Sequence, residues 1–102
     1  MSEARIEQAA PGELRLVGVL DYSTGPQLRE EGRRLIQTSS AASVLLDCSA
    51  VEKTSSVGLA LLLAFMRDSS ASGKSLTVRG VPEDMRQIAD VSGLTELLPL
   101  EA

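Results

Sequence analysis

The pattern of apolar and polar positions at the beginning of the chain predicts a hairpin of two strands. Leu14, Leu16 and the apolar stretch 17–20 form the stronger strand, and residues 5–8 form a weaker one. The connection over residues 9–13 contains a Pro-Gly pair, which favours a turn. We therefore expect the two strands to be antiparallel neighbours.

Helices and strands then alternate along the rest of the chain. A helix is predicted over 26–38, because proline suits the first turn of a helix, and a short strand follows over 44–46 and ends at an Asp-Cys-Ser sequence. The next helix, from 57 to about 70, is apolar nearly all round, so we expect it to be central and buried. A strand over 76–78 and a third helix beginning at Pro82 complete the pattern.

This order of elements predicts the α/β fold class. We expect a mixed β-sheet with an antiparallel opening hairpin and about three to four helices packed on it. The chain has 102 residues, a length typical of one small domain, and we expect residues 1–102 to form that domain. The apolar segment 94–100 has no clear period, so its structure is not predicted.

Composition argues against several classes of function. The chain has no histidine and one cysteine, so we expect no histidine base, no metal centre and no internal disulfide. Its net charge is −4 and its basic residues do not cluster, which disfavours nucleic acid and anionic lipid as partners. The longest apolar run, 57–66, is shorter than the roughly twenty residues of a membrane-spanning helix. With no secretory signal at the N-terminus, we expect a cytoplasmic protein without direct membrane insertion.

Few residues are candidates for catalysis. The glycines lie far apart, which excludes a phosphate-binding loop. A serine nucleophile would need Lys53 or Lys74 as its base, and a lysine at a strand–helix turn is usually solvated and protonated. Asp47 follows an apolar strand, where catalytic carboxylates occur, but we favour a role in accepting N–H bonds from the following turn. We expect Cys48 to be a small buried residue, and we expect no enzymatic activity and no cofactor.

The most informative segment is 47–63, which reads DCSAVEKTSSVGLALLL. It resembles the hallmark of STAS domains, the sulfate-transporter and anti-sigma-factor-antagonist family, in which an apolar strand ends in Asp-Leu-Ser and Asp-Ser-Ser-Gly-Leu opens an apolar helix. Residues 18–21 and 25–28 are similar to the family's Gly-Glu-Leu-Asp loop and first helix, and 76–81 to its last central strand. The resemblance covers about residues 4–100 and implies a single STAS domain.

One position departs from the family pattern. Alignment on Gly58 puts the family's acidic residue at Ser55, its first hydroxyl residue at Ser56, and the phosphorylated serine of the antagonists at Val57. Valine has no hydroxyl group, so the phosphorylation switch cannot operate at this position. Ser55 or Ser56 is also the natural N-cap of the helix, which explains these serines more simply than modification does.

The resemblance is closest to a branch of the family in which this position is also not a serine. It implies a non-catalytic cytoplasmic subunit, peripheral at the inner membrane of a Gram-negative bacterium, that docks on the ATPase of an ABC-type phospholipid transporter. Through the ATPase it would join the permease and lipid-binding subunits and support the assembly and activity of a system that maintains outer-membrane lipid asymmetry. The partner-binding residues carried over are Ser55, Ser56, Val57 and Gly58, with Ser56 as the main contact.

Two other classes of function stay open at this point. The alternative within the family is an anti-sigma-factor antagonist that binds a regulatory kinase or anti-sigma factor, against which Val57 argues. The third is an unrecognised enzyme, which the absence of histidine and of a phosphate-binding loop disfavours.

Overall fold

A single four-stranded sheet with three α-helices forms the part of the chain that the computed structural model describes, residues 4–101. The strands are β1 (Arg5–Ala10), β2 (Glu13–Leu20), β3 (Ser43–Thr54) and β4 (Ser75–Arg79), in the order β1-β2-β3-β4. The helices are α1 (Gly25–Thr38), α2 (Ser56–Ala71) and α3 (Glu83–Val91), and a 3₁₀ helix over Thr95–Leu97 follows them. The β1–β2 pair is antiparallel and the other two pairs are parallel, which confirms the predicted mixed α/β sheet.

The burial pattern of β2 shows that one face of the sheet is covered. Leu14, Leu16 and Leu20 are buried, whereas Arg15 and Val17 alternate with them and stay at least partly accessible. A period of two is the pattern of a sheet with one face against the core and the other in water. None of the helices in the described part of the chain is long and apolar enough to cross a membrane.

The third strand is longer than the sequence predicts. The predicted strand ends at Asp47, but β3 continues to Thr54 through a shift in its register with β2 directly after Asp47. Asp47 Oδ1 accepts the backbone N–H of Ser49 at 2.9 Å and its hydroxyl at 2.7 Å. The carboxylate thus does accept a backbone N–H, as predicted, but it stabilises a β-bulge within the strand instead of a turn.

Hydrogen bonds around Asp47 favour the ionised form of its carboxylate. Arg79 donates a hydrogen bond to Asp47 Oδ2 at 3.2 Å across the β3–β4 pair. Burial by itself raises the pKa of this carboxyl, but the hydrogen bonds from Ser49 and Arg79 outweigh that effect and hold the pKa of Asp47 below its ordinary value. The contacts explain Asp47 as a structural residue of the sheet.

Helix α2 supplies the centre of the core, as its apolar pattern predicts. The side chains of Leu59, Leu61, Leu62 and Phe65 are buried. Cys48 is fully buried in β3, and burial raises the pKa of its thiol to about 12, so the reactive thiolate is not populated near neutral pH.

Helices α1 and α2 come into close contact at several points along their length. A Cβ atom added at Gly32 of α1 would lie only 2.4 Å from Cε1 of Phe65 in α2, so a glycine is what allows the two helices to meet there. Arg29 of α1 donates two hydrogen bonds to the largely buried carboxylate of Asp68 in α2, at 2.6 and 3.2 Å. These contacts fix how the two helices lie against each other.

We predict that Gly32→Ala destabilises the domain by about 1–3 kcal/mol through overpacking, although alanine has the higher helix propensity. Phe65→Leu removes the ring atoms that the new methyl group would meet. The double variant should therefore be less destabilised than the sum of the two single variants, as urea unfolding of all four proteins will measure. Additive losses would show that Gly32 and Phe65 do not constrain each other.

Candidate functional site

The predicted site residues lie where β3 ends and α2 begins. Ser55 is the extended N-cap residue of α2, and its Oγ accepts the backbone N–H of Val57 at 3.2 Å. Its own backbone N–H donates to the carbonyl oxygen of Leu20 at 3.0 Å, which ties the loop to the end of β2. Of the two serines that the sequence offers as the cap, the structure selects Ser55. Ser56 is the first residue of the helix, and its hydroxyl has no hydrogen-bond partner among residues 4–101.

The four predicted partner-binding residues differ in their accessibility. Ser55 and Ser56 are exposed, Val57 is half-buried and Gly58 is buried. A Cβ atom at Gly58 would lie 2.0 Å from Oγ1 of Thr54 and 2.9 Å from Cε of Met85. Gly58 therefore allows the start of α2 to pack closely, and it presents no side chain to a partner. The structure brings Ser55, Ser56 and Val57 together as an accessible patch.

An open apolar groove between α1 and α2 shares Val57 with this patch, and we call it the α1–α2 groove. Its lining residues are Tyr22, Gly25, Pro26, Arg29, Val57, Ala60, Leu61, Ala64 and Arg67. Tyr22 is 87% exposed, so most of this large aromatic side chain is accessible to a partner. The groove was not predicted from the sequence. The feature of the sequence that points to the groove is that α2 carries more apolar residues than the core can bury, for example the exposed Ala60.

The loop that carries Tyr22 is held by hydrogen bonds. The Asp21 carboxylate accepts the backbone N–H and the hydroxyl of Ser23, at 2.9 and 2.6 Å, and the Thr24 hydroxyl donates to the carbonyl oxygen of Val19 at 3.0 Å. The hydrogen bond from the Ser23 hydroxyl is the main cause that lowers the pKa of Asp21 below its ordinary value. Tyr22 is thus presented by a fixed loop, which reduces the entropy lost when a partner binds it.

The two arginines of the groove differ in their ion pairing. Arg29 is paired with Asp68, whereas Arg67 has no carboxylate within 4.0 Å in the described part of the chain. The groove therefore presents one unneutralised guanidinium on a protein whose net charge is −4. A carboxylate on the partner would complement it.

The alternative of a serine–lysine catalytic pair finds no supporting contact. The ammonium group of Lys74 donates to the carbonyl oxygens of Ile36 and Gln37, at 2.8 and 3.4 Å. Lys53 makes no hydrogen bond to a serine within residues 4–101. In the same residues, no group of three or more Cys, Asp or Glu side chains is arranged to hold a metal ion.

In this architecture the central strand β3 ends at Thr54, and the apolar helix α2 begins at Ser56 directly after it. Together with the family match, it defines the class of protein as a STAS domain. The prediction from the sequence motifs is confirmed. The chain belongs to the family described as Mlab, STAS domain, whose family model matches residues 4–99.

Solved structures with the same fold come from two functional groups. The chain is similar to a chain of the Acinetobacter MlaFEDB complex in the ATP-bound Vtrans2 conformation, with 25% identity over 93% of this chain and 99% of that chain and a TM-score of 0.78. It is also similar to an anti-sigma factor antagonist from Mycobacterium paratuberculosis, with 24% identity over 98% of this chain and 85% of that chain and a TM-score of 0.76. The unphosphorylated anti-sigma factor antagonist SpoIIAA matches with 20% identity, 98% and 89% coverage and a TM-score of 0.72. The last two likenesses show the fold alone.

We predict that Ser55→Ala lowers the free energy of unfolding by about 1 kcal/mol, because it removes the N-cap acceptor. Ser56→Ala should change it by less than about 0.5 kcal/mol, since the exposed Ser56 hydroxyl makes no hydrogen bond to a described residue. Ser55→Asp is the control that keeps a capping oxygen, and it should retain most of the wild-type stability in urea unfolding. Equal losses for Ser55→Ala and Ser56→Ala would contradict the assignment of the cap.

Proposed function

We propose that this chain is the STAS subunit of an ABC-type phospholipid transport system. It binds the ATPase subunit on the cytoplasmic side of the inner membrane of a Gram-negative bacterium, and through the ATPase it joins the permease and lipid-binding subunits. It is non-catalytic, and it supports the assembly and activity of a system that maintains the lipid asymmetry of the outer membrane.

The observation that carries this proposal is the match to a chain of the MlaFEDB complex. That match extends over 93% of this chain and 99% of the other, so it concerns a whole subunit of the same size. The family model likewise covers nearly the whole chain. We expect a small domain of this kind to act in a transporter by binding a larger subunit. Such binding requires an accessible surface that is suited to another protein.

The docking surface that we propose consists of the exposed start of α2 and the adjoining α1–α2 groove. Ser56 offers a free hydroxyl, and the small side chains of Ala60 and Ala64 allow a partner helix to approach closely. Tyr22 supplies exposed aromatic area of the kind that is enriched at binding hot spots, and Arg67 supplies a charge for a partner carboxylate. The ATPase would then present an apolar helix with an acidic residue to this groove.

The alternative function is an anti-sigma-factor antagonist that binds a regulatory kinase or anti-sigma factor. Two antagonists share the fold at TM-scores of 0.76 and 0.72, which keeps this class in consideration. Val57 argues against it, because the residue that corresponds to the phosphorylated serine has no hydroxyl and its side chain lines an apolar groove. A dianionic phosphate on that side of the groove would have to be desolvated when an apolar partner bound.

Affinity purification of the tagged chain from its own cells distinguishes the two functions. Recovery of an ABC ATPase together with a permease supports the proposal. Recovery of a sigma-regulating kinase or an anti-sigma factor without an ATPase contradicts it and supports the alternative.

We predict that Ser56→Asp stays folded but binds the ATPase at least about tenfold more weakly, because the new charge loses its hydration when the partner covers it. An acidic residue in the first turn is favourable for the helix itself, so stability should not fall. Ser70→Asp is the matched control, since it adds the same charge to an exposed serine of the same helix about 21 Å away along its axis. Wild-type affinity of a folded Ser56→Asp protein would exclude the start of α2 from the interface.

We also predict that the chain isolated from its cells carries no stoichiometric phosphate. Val57 removes the acceptor that the antagonists use, and Ser55 is engaged as the helix cap. Intact-mass measurement should show the unmodified protein as the predominant species. A predominant species heavier by one phosphate would revive the regulatory function.

A further inference from the structure

The first turn of α3 contacts the segment 54–58, from the end of β3 through the start of α2, which we call the docking loop, without being part of the α1–α2 groove. Asp84 Oδ2 accepts the backbone N–H of Thr54, the last residue of β3, at 3.1 Å. Its other oxygen, Oδ1, accepts the backbone N–H of Met85 at 3.0 Å, which fixes the orientation of the carboxylate within the turn. No residue of α3 lines the groove, so this contact reaches the loop from outside it.

A second contact joins the same turn to the other end of the loop. Met85 is fully buried, and its Cε atom would lie 2.9 Å from a Cβ atom at Gly58. The polar contact of Asp84 therefore holds Thr54, and the apolar contact of Met85 packs against Gly58. The exposed Ser55 and Ser56 and the half-buried Val57 lie between these two points along the chain.

We propose that Asp84 is a positioning residue for the docking loop, and that it raises the affinity for the partner by holding Thr54 in the conformation that the partner binds. The inference rests on the proposed function for the identity of the partner. The Ser55 cap and the buried Met85 and Ala89 keep α2 and α3 in place without Asp84. Asp84 is itself only half-buried, so its truncation leaves no core cavity. Its loss thus loosens the loop and leaves the domain folded.

Glu83 offers a matched control for Asp84. It is an acidic residue in the same first turn of α3, it is exposed, and its carboxylate accepts no hydrogen bond from another residue within 4–101. Glu83→Ala therefore removes the same charge from the same helix end and leaves the contact with Thr54 intact. Asp84→Asn is the conservative variant, because its one side-chain oxygen can still accept the Thr54 N–H, although its amide nitrogen gives up the bond from the Met85 N–H.

The experiment measures amide hydrogen exchange of the full chain by NMR and the affinity of the full chain for the purified ATPase. In Asp84→Ala, we expect exchange at the Thr54 amide to accelerate about tenfold and the affinity to fall about five- to tenfold, the net worth of one typical hydrogen bond in a protein. Amides of Ile88 and Ala89 should keep their protection, which shows that α3 is intact. Glu83→Ala should change neither quantity, and Asp84→Asn should restore most of both.

Several results would overturn the inference. Unchanged exchange at Thr54 in Asp84→Ala would show that Asp84 does not hold the loop. Faster exchange with wild-type affinity, or an equal loss of affinity in Glu83→Ala, would show that holding the loop does not set partner binding. If the wild-type chain binds no ATPase, the proposed function fails, and the exchange measurement alone then decides whether Asp84 holds Thr54.

Discussion

The packing of α1 against α2 shapes both the interior of this domain and the docking surface that we propose for it. Gly32 lets the ring of Phe65 enter the core, and the Arg29–Asp68 pair closes the contact at its edge. The same two helices leave an open groove between them on the solvent side, and small residues, among them Ala60 and Ala64, line it. Because α2 is apolar nearly all round, the part of it that α1, α3 and the sheet do not cover remains as accessible apolar surface.

This arrangement explains how one fold supports two kinds of partner. The antagonists and the chain of the MlaFEDB complex share the sheet and the central helix, so the fold alone does not select the function. Under the proposed function, the selection lies in the few side chains at the start of α2. Val57, which has no hydroxyl group, stands there, and the surface beside it is apolar with one unpaired arginine among the described residues. Such a surface favours a stable subunit interface over a switch.

Local patterns predicted most of the fold and part of the site. Short stretches of sequence predict the hairpin and the apolar helix, because hydrophobic period and composition are read over a few residues. The position of Val57 at the start of that helix follows in the same way. The continuation of β3 was missed, since it depends on the carboxylate of Asp47 satisfying Ser49 within a bulge. The groove and the contact between Asp84 and Thr54 were missed as well. They join residues that are far apart along the chain, and no local pattern reports such contacts.

The central claim is that the ATPase of a transporter covers the α1–α2 groove, and photo-crosslinking in living cells tests it most directly. A benzoylphenylalanine at the position of Tyr22 lies in the groove, and one at the position of the equally exposed Val91 in α3 serves as the control. The account predicts that position 22 crosslinks to an ABC ATPase and that position 91 does not. A crosslink to the ATPase from position 91 alone, or to an anti-sigma factor from position 22, would contradict it.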